Sequence, residues 1–444
     1  MRNRIKRGIG ILLSMVLIFQ CGGYVQATEQ MTPEQTKEAE IQASYNKTIE
    51  SNAIQNWPQG PQVYGDSAIV MDMKTGAILY AKGIDEERYP ASITKILTAL
   101  VAIENSQMTD MVKFSEESIQ SLEPGYAHIA MKAGEEITMK DAFHALMLAS
   151  ANEVAYAIGE TVGGTHENFI KMMNDKAKEL GCTHTHFINT NGMFDEQHYT
   201  SARDMALIAR AAFSHQELLD IVQTLQYTIP PTNMESEPRI FQQKHKMLLN
   251  GKYHDNRCIG GKTGYTEKAY NTLVTVMEQG DMEIVAVIMR SRRDTFEDTK
   301  KICDYAFNNF REVNISANEK SDKVSDIDGE ACVTLPKNIE FNQLSRQYEK
   351  DKVNYCYEGQ FVGETKAKIK EVKKETKKEP ETKKSDMFLM KTIIAVILLL
   401  IIGFTVLLIL NTIRRKKKKT EQIINKRNFN GTTVKFLFAI SYCR

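Results

Sequence analysis

The sequence lacks the features of several common protein classes. Its formal net charge is +1, with 57 lysines and arginines against 56 aspartates and glutamates, so no basic excess would attract nucleic acid. Its seven cysteines show no paired spacing, and a chain of this size needs no covalent staples. We therefore predict no nucleic-acid partner and no structural disulfide framework.

The zinc-peptidase pattern His-Glu-x-x-His is also missing. Cys182, His184 and His186 alternate, so on a strand they would share one face, and both residue types are zinc ligands. A metal peptidase stays open as an alternative, but we interpret these residues as strand and packing residues. The prediction is no metal and no cofactor.

Both ends of the chain are typical of an exported, anchored protein. Residues 1–27 combine a basic start, a short apolar run and small residues before a cleavage point, which predicts a signal peptide; an uncleaved anchor is the alternative. Residues 392–410 carry no charge, and a basic cluster follows them. About 20 apolar residues span a bilayer, and basic residues stay in the cytoplasm. We expect a single-pass protein of the cell membrane whose main domain lies on the extracellular face.

Composition divides the rest of the chain. Residues 61–313 alternate strand and helix signals, and about 250 residues suit one large α/β domain. Within it we predict a hairpin over 67–80, a capped helix start at 200–204 and a helix over 295–310. The full division is a signal peptide (1–27), a polar leader that is flexible or a loosely docked helix (28–60), the α/β domain (61–313), a small β domain (314–369), a charged linker (370–386), a transmembrane helix (387–413) and a basic cytoplasmic tail (414–444).

Ser92 and Lys95 stand three residues apart at a predicted helix start, so both lie on one face, one turn from each other. A serine needs a base beside it to act as a nucleophile. A lysine can be that base only when it is neutral, which requires burial or a nearby positive charge to lower its pKa. The pair predicts a serine nucleophile with a lysine base, and the helix N-terminus directs N–H groups toward a developing oxyanion.

Two further motifs follow along the chain. Ser150 and Asn152 come after an apolar, helix-like stretch; a second serine can pass a proton to a leaving amine, and the Asn amide can bind a substrate backbone. Lys262, Thr263 and Gly264 lie in a glycine-rich strand segment that a substrate can approach closely. Here the lysine supplies positive charge and the threonine hydroxyl can hold a carboxylate.

Each motif is weak alone, because residues 44–47, 316–318 and 74–76 repeat the three patterns. We interpret these repeats as part of the polar leader, a linker turn and a hairpin turn. Order and context distinguish the working set, since Ser92 opens an apolar helix and the other two motifs follow it.

The working set resembles the D-alanyl-D-alanine carboxypeptidases, the low-molecular-mass penicillin-binding serine peptidases. The similarity rests on residues 90–99, 150–152, 186–206 and 261–266 and runs from about residue 67 to 310. It implies a β-lactamase/transpeptidase-like α/β catalytic domain, with a small C-terminal β domain and one C-terminal transmembrane helix.

The resemblance also implies an activity and its catalytic residues. Ser92 matches the nucleophile that forms an acyl-enzyme with the penultimate D-alanine, Lys95 matches its general base, and Ser150 matches a proton relay. The implied reaction removes the terminal D-alanine from peptidoglycan stem peptides. The implied partners are those peptides, β-lactam antibiotics as covalent inhibitors, and the cell membrane.

Substrate-binding roles follow from the same resemblance. Asn152 matches the residue that binds the substrate amide, and Lys262 and Thr263 match the groups that fix the terminal carboxylate. The substrate-binding positions are Asn152, Lys262, Thr263, Gly264 and Tyr265, and the N–H groups of Ser92 and Tyr265 match the oxyanion hole.

Some family features are displaced here. The family uses an arginine near the substrate carboxylate, which Arg292 or Arg293 could supply. Lys246 stands where Asn is common, and Tyr270 stands where Gly is common. These departures bear on substrate fit rather than on the type of reaction.

Two alternatives share the motifs. A class A β-lactamase needs a deacylating Glu followed four residues later by Asn between the second and third motifs, and no glutamate from Glu153 to Glu237 satisfies this. A penicillin sensor or wall-binding scaffold would be acylated at Ser92 but turn over poorly. The short tail after Lys419 shows no signalling domain, which argues against a receptor.

Overall fold

One antiparallel five-stranded sheet forms the centre of the fold. The computed structural model describes residues 31–122 and 125–370. The strands of the sheet are β1 (Ser67–Asp72), β2 (Ile78–Lys82), β7 (Cys258–Thr266), β8 (Tyr270–Gln279) and β9 (Met282–Ser291). They lie in the order β2-β1-β9-β8-β7, so β7 is an edge strand.

Strand β9 separates two hydrophobic cores. Val285 and Val287 belong to one core, while Ile284 and Ile288 belong to the other. Successive side chains of a strand point to opposite faces, so an apolar run without alternation indicates a strand that is covered on both sides.

Helices cover both faces of the sheet. The helix bounds are α1 (Pro33–Tyr45), α2 (Lys95–Asn105), α3 (Glu116–Gln120), α4 (Met139–His144), α5 (Asn152–Gly163), α6 (His166–Glu179), α7 (Ala202–Phe213), α8 (Gln216–Gln223), α9 (Thr295–Asn309) and α10 (Ile315–Asn318). The first core contains residues of α2, α4, α5, α6, α7 and α8, and the second contains residues of α9. Two short two-stranded antiparallel sheets pair β3 (Met111–Lys113) with β4 (Glu136–Thr138) and β5 (Gln226–Ile229) with β6 (Arg239–Gln242).

Several local predictions are confirmed. Helix α7 begins after Ser201, whose hydroxyl accepts the N–H of Asp204 at 3.1 Å. Helix α9 occupies the range predicted for it, and β1 and β2 form the predicted hairpin. The Asp72 carboxylate accepts the N–H groups of Lys74 and Thr75 in the hairpin turn, which explains why a lysine-threonine-glycine sequence occurs there without a catalytic role.

The predicted polar leader forms more contacts than loose docking would give. Helix α1 starts with a capping box at Thr32 and buries Ile41. The fully buried ammonium of Lys82 donates to the Ser44 carbonyl at 2.7 Å. The buried Trp57 indole donates to the Leu79 carbonyl at 3.0 Å, so the leader is joined to strand β2 at two points.

The segment after α9 consists of short antiparallel sheets. Val333 and Tyr355 from these sheets pack in the second core, beside residues of α9. The strands are β10 (Phe310–Asn314), β11 (Val324–Ser325), β12 (Cys332–Pro336), β13 (Ser345–Tyr348), β14 (Lys352–Tyr357), β15 (Gln360–Lys366) and β16 (Lys368–Ile369).

The predicted signal peptide, the transmembrane helix 387–413 and the tail 414–444 lie outside the described residues. Within residues 31–122 and 125–370, no helix combines the length and the apolar character needed to cross a membrane. The five cysteines of this part, Cys182, Cys258, Cys303, Cys332 and Cys356, are free thiols.

Candidate active site

The first motif lies on a 3₁₀ turn, Ala91–Thr94, that leads directly into α2. Ser92 is partly exposed and Lys95 is completely buried. The Lys95 Nζ lies 3.1 Å from Ser92 Oγ, 2.7 Å from Asn152 Oδ1 and 2.6 Å from the Asn191 carbonyl. A neutral amine has two N–H groups and one lone pair. The two pure acceptors can take both N–H groups, which leaves the lone pair for the Ser92 hydroxyl proton.

The surroundings of Lys95 favour this neutral form. Burial is the main cause that lowers the pKa of Lys95 well below its usual value, and the positive charges of Lys262 and Lys244 lower it further. Glu153 has the smallest effect and opposes the shift, and burial raises the pKa of the Glu153 carboxyl itself. A lysine with a lowered pKa can accept a proton near neutral pH.

The second motif follows a π-helical turn, Ala145–Ala149, which ends at Ser150 in the left-handed conformation with φ 64°. Such turns occur frequently at functional sites. Ser150 Oγ accepts a hydrogen bond from Lys262 Nζ at 3.0 Å, and Asn152 starts α5. Burial, together with the charge of Lys244, lowers the pKa of Lys262 to about 7.

The third motif lies on the edge strand β7, beside the first motif. A Cβ on Gly264 would lie 2.9 Å from the Ser92 nitrogen and 2.4 Å from Thr272 Oγ1, so only glycine permits this approach. Tyr265 is 63% exposed on the same strand. A free strand edge can pair with an extended peptide, and its side chains then select the ligand.

All eight predicted site residues therefore lie in three segments of the chain, 92–95, 150–152 and 262–265. The contacts above join Ser92, Lys95 and Asn152 into one hydrogen-bonded set and Ser150 and Lys262 into a second. Thr263, Gly264 and Tyr265 continue along β7 from Lys262.

Sequence reasoning assigned no role to three residues that complete the site. Asn191 supplies the carbonyl that holds Lys95. Gly192 follows with φ 85°, and a Cβ there would lie 1.9 Å from the Ala91 carbonyl. The Lys244 Nζ donates to the Ala149 carbonyl, next to Ser150. The Asn-Gly pair is a turn signal in the sequence, but Lys244 carries no such signal.

The two candidate arginines have other partners. Arg292 stacks over the Tyr270 ring at 4.1 Å and donates to its hydroxyl at 2.6 Å, and it also pairs with Glu40 of α1. Arg293 pairs with Glu38 at 2.6 Å. Both guanidinium groups are thus engaged with the leader helix.

The repeated motifs lie elsewhere. Residues 44–47 are at the end of α1, 74–76 form the β1–β2 turn, and 316–318 belong to α10. Among the described residues, no group of His, Cys, Asp and Glu could hold a metal ion. His186, one of the three candidate ligands, instead bonds through Nδ1 to the Gln197 carbonyl at 2.7 Å.

A serine, a buried lysine, a second serine and a lysine on an edge strand define a penicillin-binding type of serine acyl-transfer site. The sequence model of the D-alanyl-D-alanine carboxypeptidases matches residues 54–293, more than half of the chain. The chain belongs to the D-alanyl-D-alanine carboxypeptidase family, so the resemblance seen in the sequence is confirmed.

Two curated relatives illustrate the similarity. D-alanyl-D-alanine carboxypeptidase DacF of Bacillus subtilis is 33% identical over 258 residues, which cover 55% of this chain and 62% of that protein. DacC of Escherichia coli is 29% identical over 272 residues, covering 59% of this chain and 66% of the relative. The matches thus span less than two thirds of either relative.

Solved structures agree on the fold. The Streptomyces K15 DD-transpeptidase superposes with a TM-score of 0.53 at 25% identity, covering 56% of this chain and 100% of that one. Penicillin-binding protein 6B of E. coli superposes with a TM-score of 0.57 at 23% identity, covering 71% and 98%. The latter likeness shows the fold alone, a mixed α/β fold that confirms the predicted catalytic-domain class.

Proposed function

We propose that this protein is a serine-type D-alanyl-D-alanine carboxypeptidase, which removes the terminal D-alanine from peptidoglycan stem peptides through an acyl-enzyme on Ser92. The contacts of Lys95 carry the proposal: a fully buried amine has two acceptors and lies 3.1 Å from the Ser92 hydroxyl. The relatives' names agree with this reaction.

In the acylation step, Ser92 Oγ attacks the carbonyl carbon of the penultimate D-alanine while its proton moves to Lys95 Nζ. The N–H groups of Ser92 and Tyr265 are our candidates for binding the oxyanion. The C–N bond then breaks as Ser150, which bonds to Lys262, passes a proton to the leaving amine of the terminal D-alanine. The proton that Lys95 took from Ser92 replaces the one that Ser150 gives up, so Lys95 is neutral again before deacylation.

In the deacylation step, a water molecule attacks the ester carbonyl of the acyl-enzyme. Lys95 accepts the proton of this water, and Ser92 recovers its own proton as the ester C–O bond breaks. The free enzyme and the shortened peptide are then restored.

The charge of the site supports action at a carboxyl end. Lys95, Lys244 and Lys262 lie close enough for the charges of the latter two to lower the pKa of Lys95. Among the described residues, none of the three forms an ion pair with a carboxylate. A positive site without a counter-ion favours a substrate whose own terminus is anionic.

The same site would be acylated by β-lactam antibiotics, which we propose as covalent inhibitors of Ser92. We also propose that the protein is exported and anchored in the cell membrane by residues 387–413, with its site on the extracellular face. The basic residues after the apolar run support this orientation. Proteolysis of intact cells would remove the site if it faces outward and would spare it if it faces the cytoplasm.

The activity is tested by following D-alanine release from a pentapeptide that ends in D-Ala-D-Ala, with full-length protein in detergent and Ser92→Ala beside it. We expect release that benzylpenicillin blocks and that Ser92→Ala lacks. Penicillin labelling of Ser92 without D-alanine release would instead favour the sensor or scaffold.

A further inference from the structure

Lys244 lies beside Ser150 although no motif contains it. Its ammonium donates to the carbonyl of Ala149, and the ammonium of Lys262 donates to the hydroxyl of the next residue, Ser150, at 3.0 Å. Two cations thus bond to neighbouring positions of the same turn. Residue Lys244 is exposed, although burial around its ammonium lowers the pKa of that group.

The contacts of Lys244 leave it available to a ligand. An ammonium has three N–H groups, and the Ala149 carbonyl occupies one of them. No described carboxylate forms an ion pair with Lys244. The arginines that the sequence suggested for an anionic substrate group are, by contrast, paired with Glu40 and Glu38.

The neighbouring Lys246 is different. Its ammonium lies over the rings of Tyr253 and Phe296, at 5.5 and 5.7 Å from their centroids. The two lysines are only two residues apart, are both exposed and carry the same charge, but only Lys244 bonds to the turn that holds Ser150.

We propose that Lys244 is a specificity-determining residue that binds the terminal carboxylate of the peptide substrate, together with Lys262 and Thr263. The inference rests on the proposed carboxypeptidase function and names a further group that recognises its substrate. The bond to Ala149 fixes the ammonium before the substrate arrives, so little side-chain freedom is lost on binding.

The test compares two substrates and four proteins. The substrates are an acyl-D-Ala-D-Ala peptide with a free carboxylate and the methyl ester of the same peptide. The proteins are the full-length wild type, Lys244→Met, Lys244→Arg and the control Lys246→Met. For each protein and substrate we measure kcat and KM separately, and with the free acid also the pH profile of kcat/KM.

We expect Lys244→Met to lower kcat/KM for the free acid at least about tenfold, mainly through KM, since a charge-assisted hydrogen bond is lost. For the methyl ester, kcat/KM of Lys244→Met should fall much less. Lys244→Arg should keep most of the preference for the free acid, and Lys246→Met should resemble the wild type.

The proposal would be overturned if Lys244→Met lowered kcat/KM equally for the free acid and the ester and moved the acid limb of the pH profile to higher pH. That result would show that Lys244 acts only on the protonation of Lys95. Equal behaviour of Lys244→Met and Lys246→Met would also overturn the proposal. A wild type without D-alanine release would instead contradict the proposed function itself, so the two failures are distinguishable.

Discussion

Gly192 offers a sharp test of how the site is held together. A Cβ at this position would lie 1.9 Å from the Ala91 carbonyl, and real Cβ atoms essentially never approach below 3.0 Å. Gly192→Ala must therefore move the backbone by about 1 Å, on a loop whose Asn191 carbonyl holds Lys95 at 2.6 Å. Gly181 is a matched control, because its φ of 83° resembles the 85° of Gly192 and a Cβ there would meet nothing within 4 Å.

The control isolates the conformational cost. Alanine in the left-handed region costs about 1–2 kcal/mol, so we expect Gly181→Ala to lower the free energy of unfolding by that amount. Gly192→Ala pays the same cost and an additional overpacking cost of about 1–3 kcal/mol. A displacement of about 1 Å at the base can reduce the catalytic rate on the order of 100-fold.

Urea denaturation measures the unfolding free energies, and the rate of acylation by a fluorescent penicillin measures the site. We expect Gly181→Ala to be acylated at the wild-type rate and Gly192→Ala to be slower by about 100-fold. If Gly192→Ala matches Gly181→Ala in both stability and acylation rate, the contact between this loop and the first motif does not position Lys95.

Two further predictions concern the protonation of Lys95. First, kcat/KM for D-alanine release should rise with pH along an acid limb, because Lys95 must lose its proton to act as a base; since burial and two cations lower its pKa, the midpoint of this limb should lie well below that of a free lysine. A midpoint near the value of an exposed lysine would contradict this assignment. Second, Asn152→Asp places a carboxylate at the position of an oxygen 2.7 Å from the Lys95 ammonium, which should raise the pKa of Lys95 by about one to three pH units and move the acid limb upward. Asn152→Ala is the control for loss of the amide. If the acid limb of the kcat/KM profile lay at the same pH in Asn152→Asp as in Asn152→Ala, a group other than Lys95 would control the profile.

The sequence predicted the reacting residues because the chemistry restricts their types. A nucleophilic serine needs a base, and a base three residues later on a helix start lies within reach. Residues 44–47 have the same spacing, so order, context and the family resemblance were needed to identify Ser92 and Lys95. The same holds for Lys262 on its glycine-rich strand.

The remaining contributions depend on tertiary structure. Asn191 holds Lys95 through a main-chain carbonyl, which any residue type would provide, so its side chain does not indicate this role. Lys244 is one of many lysines and becomes distinctive only when the fold brings it to the Ala149 carbonyl.

The fold shows the same division. Helix α9 and the β1–β2 hairpin follow local patterns and were predicted closely. The contacts of the leader were not predicted, because its polar composition does not indicate them. Lys82 of β2 bonds to the leader, and Trp57 of the leader bonds to β2. Arg292 and Arg293 illustrate the limit at the site, since a candidate chosen by position alone is paired here with α1.

The most direct test of the account locates the acyl group. Full-length protein would be mixed with a D-Ala-D-Ala pentapeptide, quenched in acid, digested and examined by mass spectrometry. The account predicts that the peptide containing Ser92 carries the acyl group, that one D-alanine is released for each acylation, and that Ser92→Ala shows neither. An acyl group on another residue, or D-alanine release that persists in Ser92→Ala, would contradict it.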